Sequence, residues 1–323
     1  MSTLYGTGQV AIFGPHPLLS ITLELHDDTG DDVHVHLGGQ GVWVARMAAE
    51  LGAHPILCAF SGGETGVLVE AMLGRIPCSR RLVRTAAPSG CYVTDRRDGV
   101  RNVLARRLSD PPTRHEVDDL VATTCVAALE SDALVVCNPY PGDALPTEAY
   151  GTLVEAARDN EVPVLVDLST PRLDSALEGR PTLVKLNDWE LAEYVKGPVG
   201  TPSQLRAAAE RIRDRGAEIV VVTRGGQPAL VLRGDDAWEL VPPHFERGSR
   251  EGCGDTMMGA IAAGWVRGLD WQESLTLGAA AGAVNFLRHG LGTGSRALVQ
   301  EMRERIALVP FSESGTALSQ LHR

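Results

Sequence analysis

Residues 251–258 read Glu-Gly-Cys-Gly-Asp-Thr-Met-Met, and the order of types matters more than any single one. Gly252 and Gly254 let the backbone turn tightly and come close to a ligand. The small, apolar run that follows, Met257 to Val266, reads as a helix, and a helix start presents N–H groups that have no partner within the helix. Such a start favours an anion, phosphate above all. The carboxylate of Asp255 would be repelled by that anion unless it had a use there. Taking the proton of a hydroxyl that attacks phosphorus is such a use. Asp is also a good helix cap, and these eight residues alone leave both readings open.

Three further stretches carry chemistry. Gly38-Gly39-Gln40-Gly41 precedes a helix and again suggests close approach of a ligand. Its glycine spacing does not match the dinucleotide fingerprint, which counts against a dinucleotide-dependent oxidoreductase. Lys185-Leu186-Asn187-Asp188-Trp189-Glu190 falls at the C-terminal end of an expected strand, the edge where open α/β sheets bind ligands. Asn187 and Glu190 stand three apart, so one helical turn points both the same way. An amide and a carboxylate so placed suit hydrated Mg²⁺, and they equally suit an Asn cap with Glu at the third position. Val221–Gly226 reads as a strand that ends in a glycine turn. Lys185 and Lys196 are the only lysines among 30 basic residues.

Positioning these groups needs a sheet with helices around it. Short, continuous apolar runs at Val10–Phe13, Ile56–Phe60, Ala133–Cys137, Val162–Val166, Thr182–Val184 and Ile219–Thr223 read as buried strands of a parallel sheet. Amphipathic segments lie between them: Val42–Leu51, Glu116–Leu129, Thr147–Arg158, Trp189–Tyr194 and Ser203–Arg215. The alternation predicts a three-layer α/β/α sandwich with a mostly parallel central sheet. Three helices, Thr256–Arg267, Trp271–Leu287 and Ser295–Ile306, close the chain. Alternating patterns at Ile21–Leu25 and Val33–Leu37, joined by the turn Asp27–Asp32, and over Cys91–Arg107 predict four strands of a small projecting sheet, a lid. The expected organisation is one domain over residues 1–310, with lid strands from about 20–37 and 90–107. A tail follows at 311–323.

Bulk properties narrow the function. With 323 residues, 44% apolar, 22% charged and a formal charge of −11, the chain has the composition of a soluble globular protein. It is not a general binder of nucleic acid or anionic membranes. No apolar run is long enough to span a bilayer, and the N-terminus lacks the pattern of a secretory signal. Six scattered cysteines offer no metal-ligand spacing and no disulfide framework. A cytoplasmic setting is the simplest expectation.

Taken in order, these stretches resemble the ribokinase/PfkB family of sugar kinases over roughly residues 8 to 308. The nearest branch is the one containing 1-phosphofructokinase and tagatose-6-phosphate kinase. The matching elements are Gly38–Gly52, Lys185–Glu190 with Leu186 in place of Pro, Thr223–Gly225, and Gly252–Asp255 with Cys253 in place of Ala. The resemblance implies a ribokinase-like fold and an ATP- and Mg²⁺-dependent kinase of a sugar, sugar phosphate or related polyol or nucleoside. It implies Asp255 as catalytic base and the amides of Gly252, Cys253 and Gly254 as anion hole. Lys185, Asn187, Glu190, Thr223 and Gly225 would meet ATP. Asn187 and Glu190 would hold Mg²⁺ through water, with Asp167 a further acid on the metal side. Gly38, Gly39, Gln40 and Trp43 would meet the acceptor under the lid, and lid strands could pair across a homodimer.

Most departures fall on the sugar side, while Arg250-Glu251, just before the anion hole, bears on nucleotide or metal handling. Leu18 stands where the family has a hydroxyl-gripping Asp. Trp43 replaces an Asn, and Gln40 a frequent Lys. Asn138-Pro139-Tyr140 replaces Ser-Gly-Ser, and Arg250-Glu251 stands where small or apolar residues are expected. Trp43 is read either as a stacking surface for the acceptor or as a core residue. Arg96, Arg97, Arg101, Arg106 and Arg107 are read either as replacement charge from the lid or as a solvated face. The alternative function is a non-catalytic ligand-binding or regulatory protein on the same fold. The retained Asp255, with its flanking glycines, argues against it.

Overall fold

The computed structural model describes residues 8–26, 30–139, 145–288 and 293–312. The expected turn at Asp27–Asp32, Tyr140 and the C-terminal tail lie partly or wholly outside those residues.

The chain forms a ten-stranded sheet. Seven strands are parallel, in the order β5(Ser79–Thr85), β4(His54–Gly62), β1(Gln9–Phe13), β8(Ala133–Cys137), β9(Val164–Asp167), β10(Leu183–Asn187) and β11(Ile219–Arg224). Three antiparallel strands, β12(Gln227–Arg233), β13(Asp236–Val241) and β14(Ala307–Pro310), extend the β11 edge. The parallel strands are apolar on both faces because helices cover both: every residue of β8 and β9 is buried. One layer holds α1(Gln40–Glu50), α8(Cys253–Val266) and α9(Trp271–Phe286). The other holds α3(Arg114–Leu129), α4(Glu148–Arg158), α5(Arg172–Glu178) and α7(Pro202–Asp214). Helices α8 and α9 are apolar around most of their circumference because both are buried, α8 against α1, α9 and the central strands, α9 against α8 and the edge strands β13 and β14.

Two elements deviate from expectation in ways that affect the site. The strand read as Thr182–Val184 runs on to Asn187, so Lys185 and Asn187 stand at the C-terminal edge, level with Val221 and Thr223 of β11. The last helix, α10(Arg296–Arg303), stops short of Ile306, because the chain turns into β14 to pair with β13. The strand order reverses direction between β1 and β8, so loops after those strands diverge and leave a crevice.

The second sheet has four strands, ordered β3(Gly30–Gly38), β2(Leu18–His26), β6(Cys91–Asp95) and β7(Asn102–Arg107). It is the projecting sheet that the sequence predicts. Its register sorts the side chains into two faces. Ser20 lies opposite His36 and Thr22 opposite His34, on a polar face toward the body. Ile21 lies opposite Val35 and Leu23 opposite Val33, on an apolar outer face. Near the body, β2 and β3 lean on α2(Gly63–Leu73). Farther out, Leu25, Val33 and Val35 are at least half exposed.

Candidate active site

Helix α8 starts at Cys253, with Gly252 as cap residue at φ 73°, a left-handed conformation in which a side chain would be strained. A Cβ on Gly254 would lie 2.8 Å from Lys185 Nζ, so the absence of a side chain there admits the lysine to the helix start. Among the described residues, no acceptor sits on the N–H groups of Gly252 and Gly254. The expectation that all three amides stand open needs one correction: the Cys253 N–H makes a long bond, 3.4 Å, back to the Arg250 carbonyl. The loop is tied from α9, where Asn285 Nδ2 donates to the Glu251 carbonyl at 2.9 Å and to Cys253 Sγ at 3.4 Å. Asn285 is a supporting residue the sequence reading missed; nothing local marks a helical Asn as a loop anchor.

The Asp255 side chain points into a cavity, not into a cap bond. Burial raises its carboxyl to about 7, and the charge of Asp167 adds to the rise. Lys185 and a hydrogen bond with Gln40 work in the opposite direction. Lys185 Nζ lies 2.7 Å from Asp167 Oδ2, with both side chains buried. Burial would lower the lysine's pKa, but Asp167 and the charges of Asp255 and Glu190 together turn the net direction upward. Asp167, expected as an acid on the metal side, is thus committed to Lys185. Buried ion pairs of this kind persist only when well matched, since each charge has lost its water.

Asn187 and Glu190 form a reciprocal capping box at the start of α6(Asp188–Val195). Asn187 Oδ1 accepts the Glu190 N–H at 2.8 Å, and Glu190 Oε2 accepts the Asn187 N–H at 2.8 Å. The capping reading therefore holds as geometry. It also fixes both side chains toward the cavity that they line. Burial, then the Asp167 charge, pushes the Glu190 carboxyl upward.

Two cavities meet at this point. One, of about 510 Å³, is lined by Lys185, Asn187, Glu190, Thr223, Gly225, Arg250, Gly254 and Asp255, with an apolar end that includes Pro242, Phe245 and Phe286. The other, of about 590 Å³, lies under the projecting sheet and is lined by Gly38, Gly39, Trp43, His16, Leu18 and Asn138. Among the described residues, Gln40 alone lines both. The second cavity gathers Arg46, Arg96, Arg101 and Arg106 against Glu24 and Glu251.

The order of charges along the chain is mirrored in space. Arg250 faces the first cavity, with its guanidinium 3.6 Å from where a Gly225 Cβ would be. Glu251, the next residue, faces the second, where it pairs with Arg101 of the projecting sheet at 2.9 Å.

A model of the pfkB family of carbohydrate kinases matches residues 18–298. The chain belongs to that family. It is therefore a phosphotransferase acting on an alcohol acceptor, with ATP the donor that kinase chemistry implies. Among its relatives, it is 28% identical over 250 residues to 1-phosphofructokinase of Rhodobacter capsulatus, covering 76% of this chain and 78% of that one. It is 29% identical over 273 residues to D-tagatose-1-phosphate kinase of Klebsiella oxytoca, covering 84% and 88%. Phosphofructokinase-2 from Escherichia coli, solved in complex with potassium, superposes with a TM-score of 0.80 at 25% identity, over 92% of this chain and 98% of that one.

The expected site residues of this PfkB kinase converge in space, with exceptions that follow from their packing. Arg96, Arg101 and Arg106 line the second cavity. Arg97 instead binds Asp95 and Asp31 at the rim, and Arg107 lies on the outer-facing register of β7. Trp43 is half-buried in the cavity wall and donates its indole N–H to the Leu37 carbonyl at 3.3 Å, so it is neither a pure core residue nor a free stacking plate. Leu18 is buried in the same wall. His16 is buried there too; burial lowers its pKa to about 4, so the ring is neutral, and its Nδ1 has no partner among the described residues. Arg46 was missed, though its spacing of three from Trp43 puts both on one face of α1. Among the described residues, no cluster of three His, Cys, Asp or Glu could hold a metal, and no helix is long and apolar enough to cross a membrane.

Proposed function

We propose that this kinase transfers the γ-phosphoryl group of ATP to a hydroxyl of a small sugar phosphate, with Asp255 as the base. The observation that carries this reading is the placement of Asp255. A carboxyl raised to about 7, chiefly by desolvation, stands at an open helix start beside a lysine and next to the residue that both cavities share. The cavity with Thr223, Gly225 and the apolar end takes the nucleotide. The cavity under the lid takes the acceptor.

The acceptor hydroxyl gives its proton to Asp255 as its oxygen attacks the γ-phosphorus in line, and ADP leaves. The amides of Gly252 and Gly254 receive the negative charge that the transferring group carries. Lys185, held by Asp167, supplies a fixed positive charge to the phosphates. The capping box uses one oxygen of Glu190 and one lone pair of Asn187. What remains suits outer contacts to a hydrated Mg²⁺ better than direct ligation. Magnesium bound with the nucleotide would offset phosphate charge.

Four arginines against two glutamates leave the acceptor cavity positive, which suits a substrate that already carries one phosphate. Relatives whose names denote kinases of phosphorylated ketohexoses support the same class. The exposed apolar face of the lid, with Leu25, Val33 and Val35, suits pairing with a second copy.

The test is ADP release on a panel of ketohexose phosphates, aldose phosphates, free sugars and nucleosides. The reading expects turnover with at least one sugar phosphate and at least tenfold lower kcat/KM for its unphosphorylated form. Preference for a free sugar or nucleoside would overturn the assigned substrate class.

A further inference from the structure

Gln40 is the first residue of α1, and its side chain is held at both ends. Its Oε1 accepts the backbone N–H of Asn138 at 2.6 Å. An N–H can be received only by the oxygen, so this bond settles which way the amide faces. Its NH₂ end, a donor with no acceptor capacity, is left to face Asp255, which lines the same cavity and whose pKa Gln40 helps to lower. Asn138 in turn is fixed from the next strand over. Its Oδ1 accepts the Ser169 N–H at 3.1 Å, the Ser169 hydroxyl at 3.2 Å and Arg172 Nε at 3.4 Å. Ser169 lies two residues beyond Asp167, the partner of Lys185. The loop after β9 therefore sets Asn138, Asn138 sets Gln40, and Gln40 reaches the carboxyl.

We propose that Gln40 is a positioning residue for the base: anchored through Asn138 to the loop after β9, its amide NH₂ holds the Asp255 carboxyl at the boundary between the two cavities. The inference rests on Asp255 being the base and adds a role distinct from contact with the acceptor. A carboxyl that must take a proton from one cavity while a phosphoryl group arrives from the other has to stand in one orientation. The groups that face it are Asp167 from β9, Lys185 from β10, Glu190 from α6, and the thiols of Cys137 from β8 and Cys253 from its own helix. Beside these charged groups and weakly donating thiols, Gln40 supplies a neutral amide donor, which can orient the carboxyl without cancelling its charge.

Three substitutions separate the two ends of the amide. Gln40→Met keeps the length and loses both bonds. Gln40→Glu keeps an acceptor for Asn138 and sets a second carboxyl against Asp255. Gln40→Lys keeps a donor and loses the acceptor. With the full-length enzyme, ATP and its best acceptor, the proposal expects kcat to fall about 10- to 100-fold in the Met and Glu variants, a fraction of what loss of a base costs. The Lys variant should lose least. Acceptor KM should stay within about threefold throughout. A rise in acceptor KM at unchanged kcat in the Met and Glu variants would make Gln40 a substrate contact and overturn the proposal. Asp255→Asn, run alongside, separates the two failures. If it keeps turnover, the base assignment falls. If it loses turnover while Met and Glu variants keep wild-type kcat, only the role of Gln40 falls.

Discussion

The two cavities of this kinase are built in different ways. The proposed nucleotide side consists of strand ends and a helix start: Lys185 and Asn187 on β10, Thr223 on β11, and Gly252 to Asp255 leading into α8. Each group is placed by backbone, and each lies within a short stretch of sequence. The proposed acceptor side is assembled from side chains of β2, β3, α1, β6, β7 and the loops between elements, with Leu18, His36, Arg46, Arg106, Asn138 and Glu251 meeting only in the fold. A site made from backbone tolerates little change in its local sequence. A site made from side chains can be rewritten residue by residue while the scaffold stays, so the departures from the family pattern cluster there.

If the comparison is sound, changes on the two sides should damage different quantities. The largest effect is expected from Lys185→Met. It leaves Asp167 buried without its cation, so denaturant unfolding should show a loss of about 3–5 kcal/mol. Turnover should fall with it even where the protein remains folded. Unchanged stability would mean that the Asp167–Lys185 pair is not the brace of the nucleotide side.

Next is Gly254→Ala. Its Cβ would lie 2.8 Å from Lys185 Nζ, so the lysine has to retreat from the helix start. The KM for ATP should rise about tenfold, with acceptor KM little affected. An acceptor-only effect would break the division between the cavities.

The pH dependence follows from Asp255. Burial and Asp167 raise its carboxyl to about 7 in the folded protein, above the ordinary Asp value. The base works ionised, so kcat/KM should rise with pH through an acid limb near 7. Stability should run the other way. The folded state holds this proton more tightly than the unfolded chain, so stability is highest below the unfolded value and declines as pH rises toward 7. Asp255→Asn should remove that decline, and be more stable than wild type at pH 8 by about 1–3 kcal/mol. Thermal melts of both proteins at pH 5 and pH 8 check this.

A smaller effect is expected from Glu251→Gln. The Arg101–Glu251 pair is partly exposed and worth about 1 kcal/mol or less. Acceptor KM should shift by no more than about fivefold, with the KM for ATP unchanged. Smallest in its effect on catalysis is Val35→Glu on the outer face of the lid: with the proposed lid pairing, wild type should sediment as a dimer and the variant as a monomer, while kcat changes less than about threefold.

Most of the scaffold and the nucleotide side were legible because their signals are local. Continuous apolar runs marked the buried parallel strands, and a helix start rich in glycine marked the turn into α8 that lines the first cavity. The antiparallel edge was not read, although Gly234-Asp235 between β12 and β13 is a two-residue turn of the kind that joins hairpins. The acceptor side resisted for a physical reason. Gln40 and Asn138 could each be seen as a departure from the family pattern. That they bond to each other across 98 positions depends on β1 and β8 being neighbours in the sheet. Likewise, the motif Asn187–Glu190 gave two readings, cap and metal holder, because one geometry serves both.

The carboxyl of Asp255 is the proposed base. The most direct measurement is kcat and acceptor KM of Asp255→Asn against wild type at pH 8, with saturating ATP. The predicted result is a fall in kcat of about 10²–10⁴, the usual size of general-base catalysis, with acceptor KM within about threefold. Turnover close to wild type in that variant would contradict it.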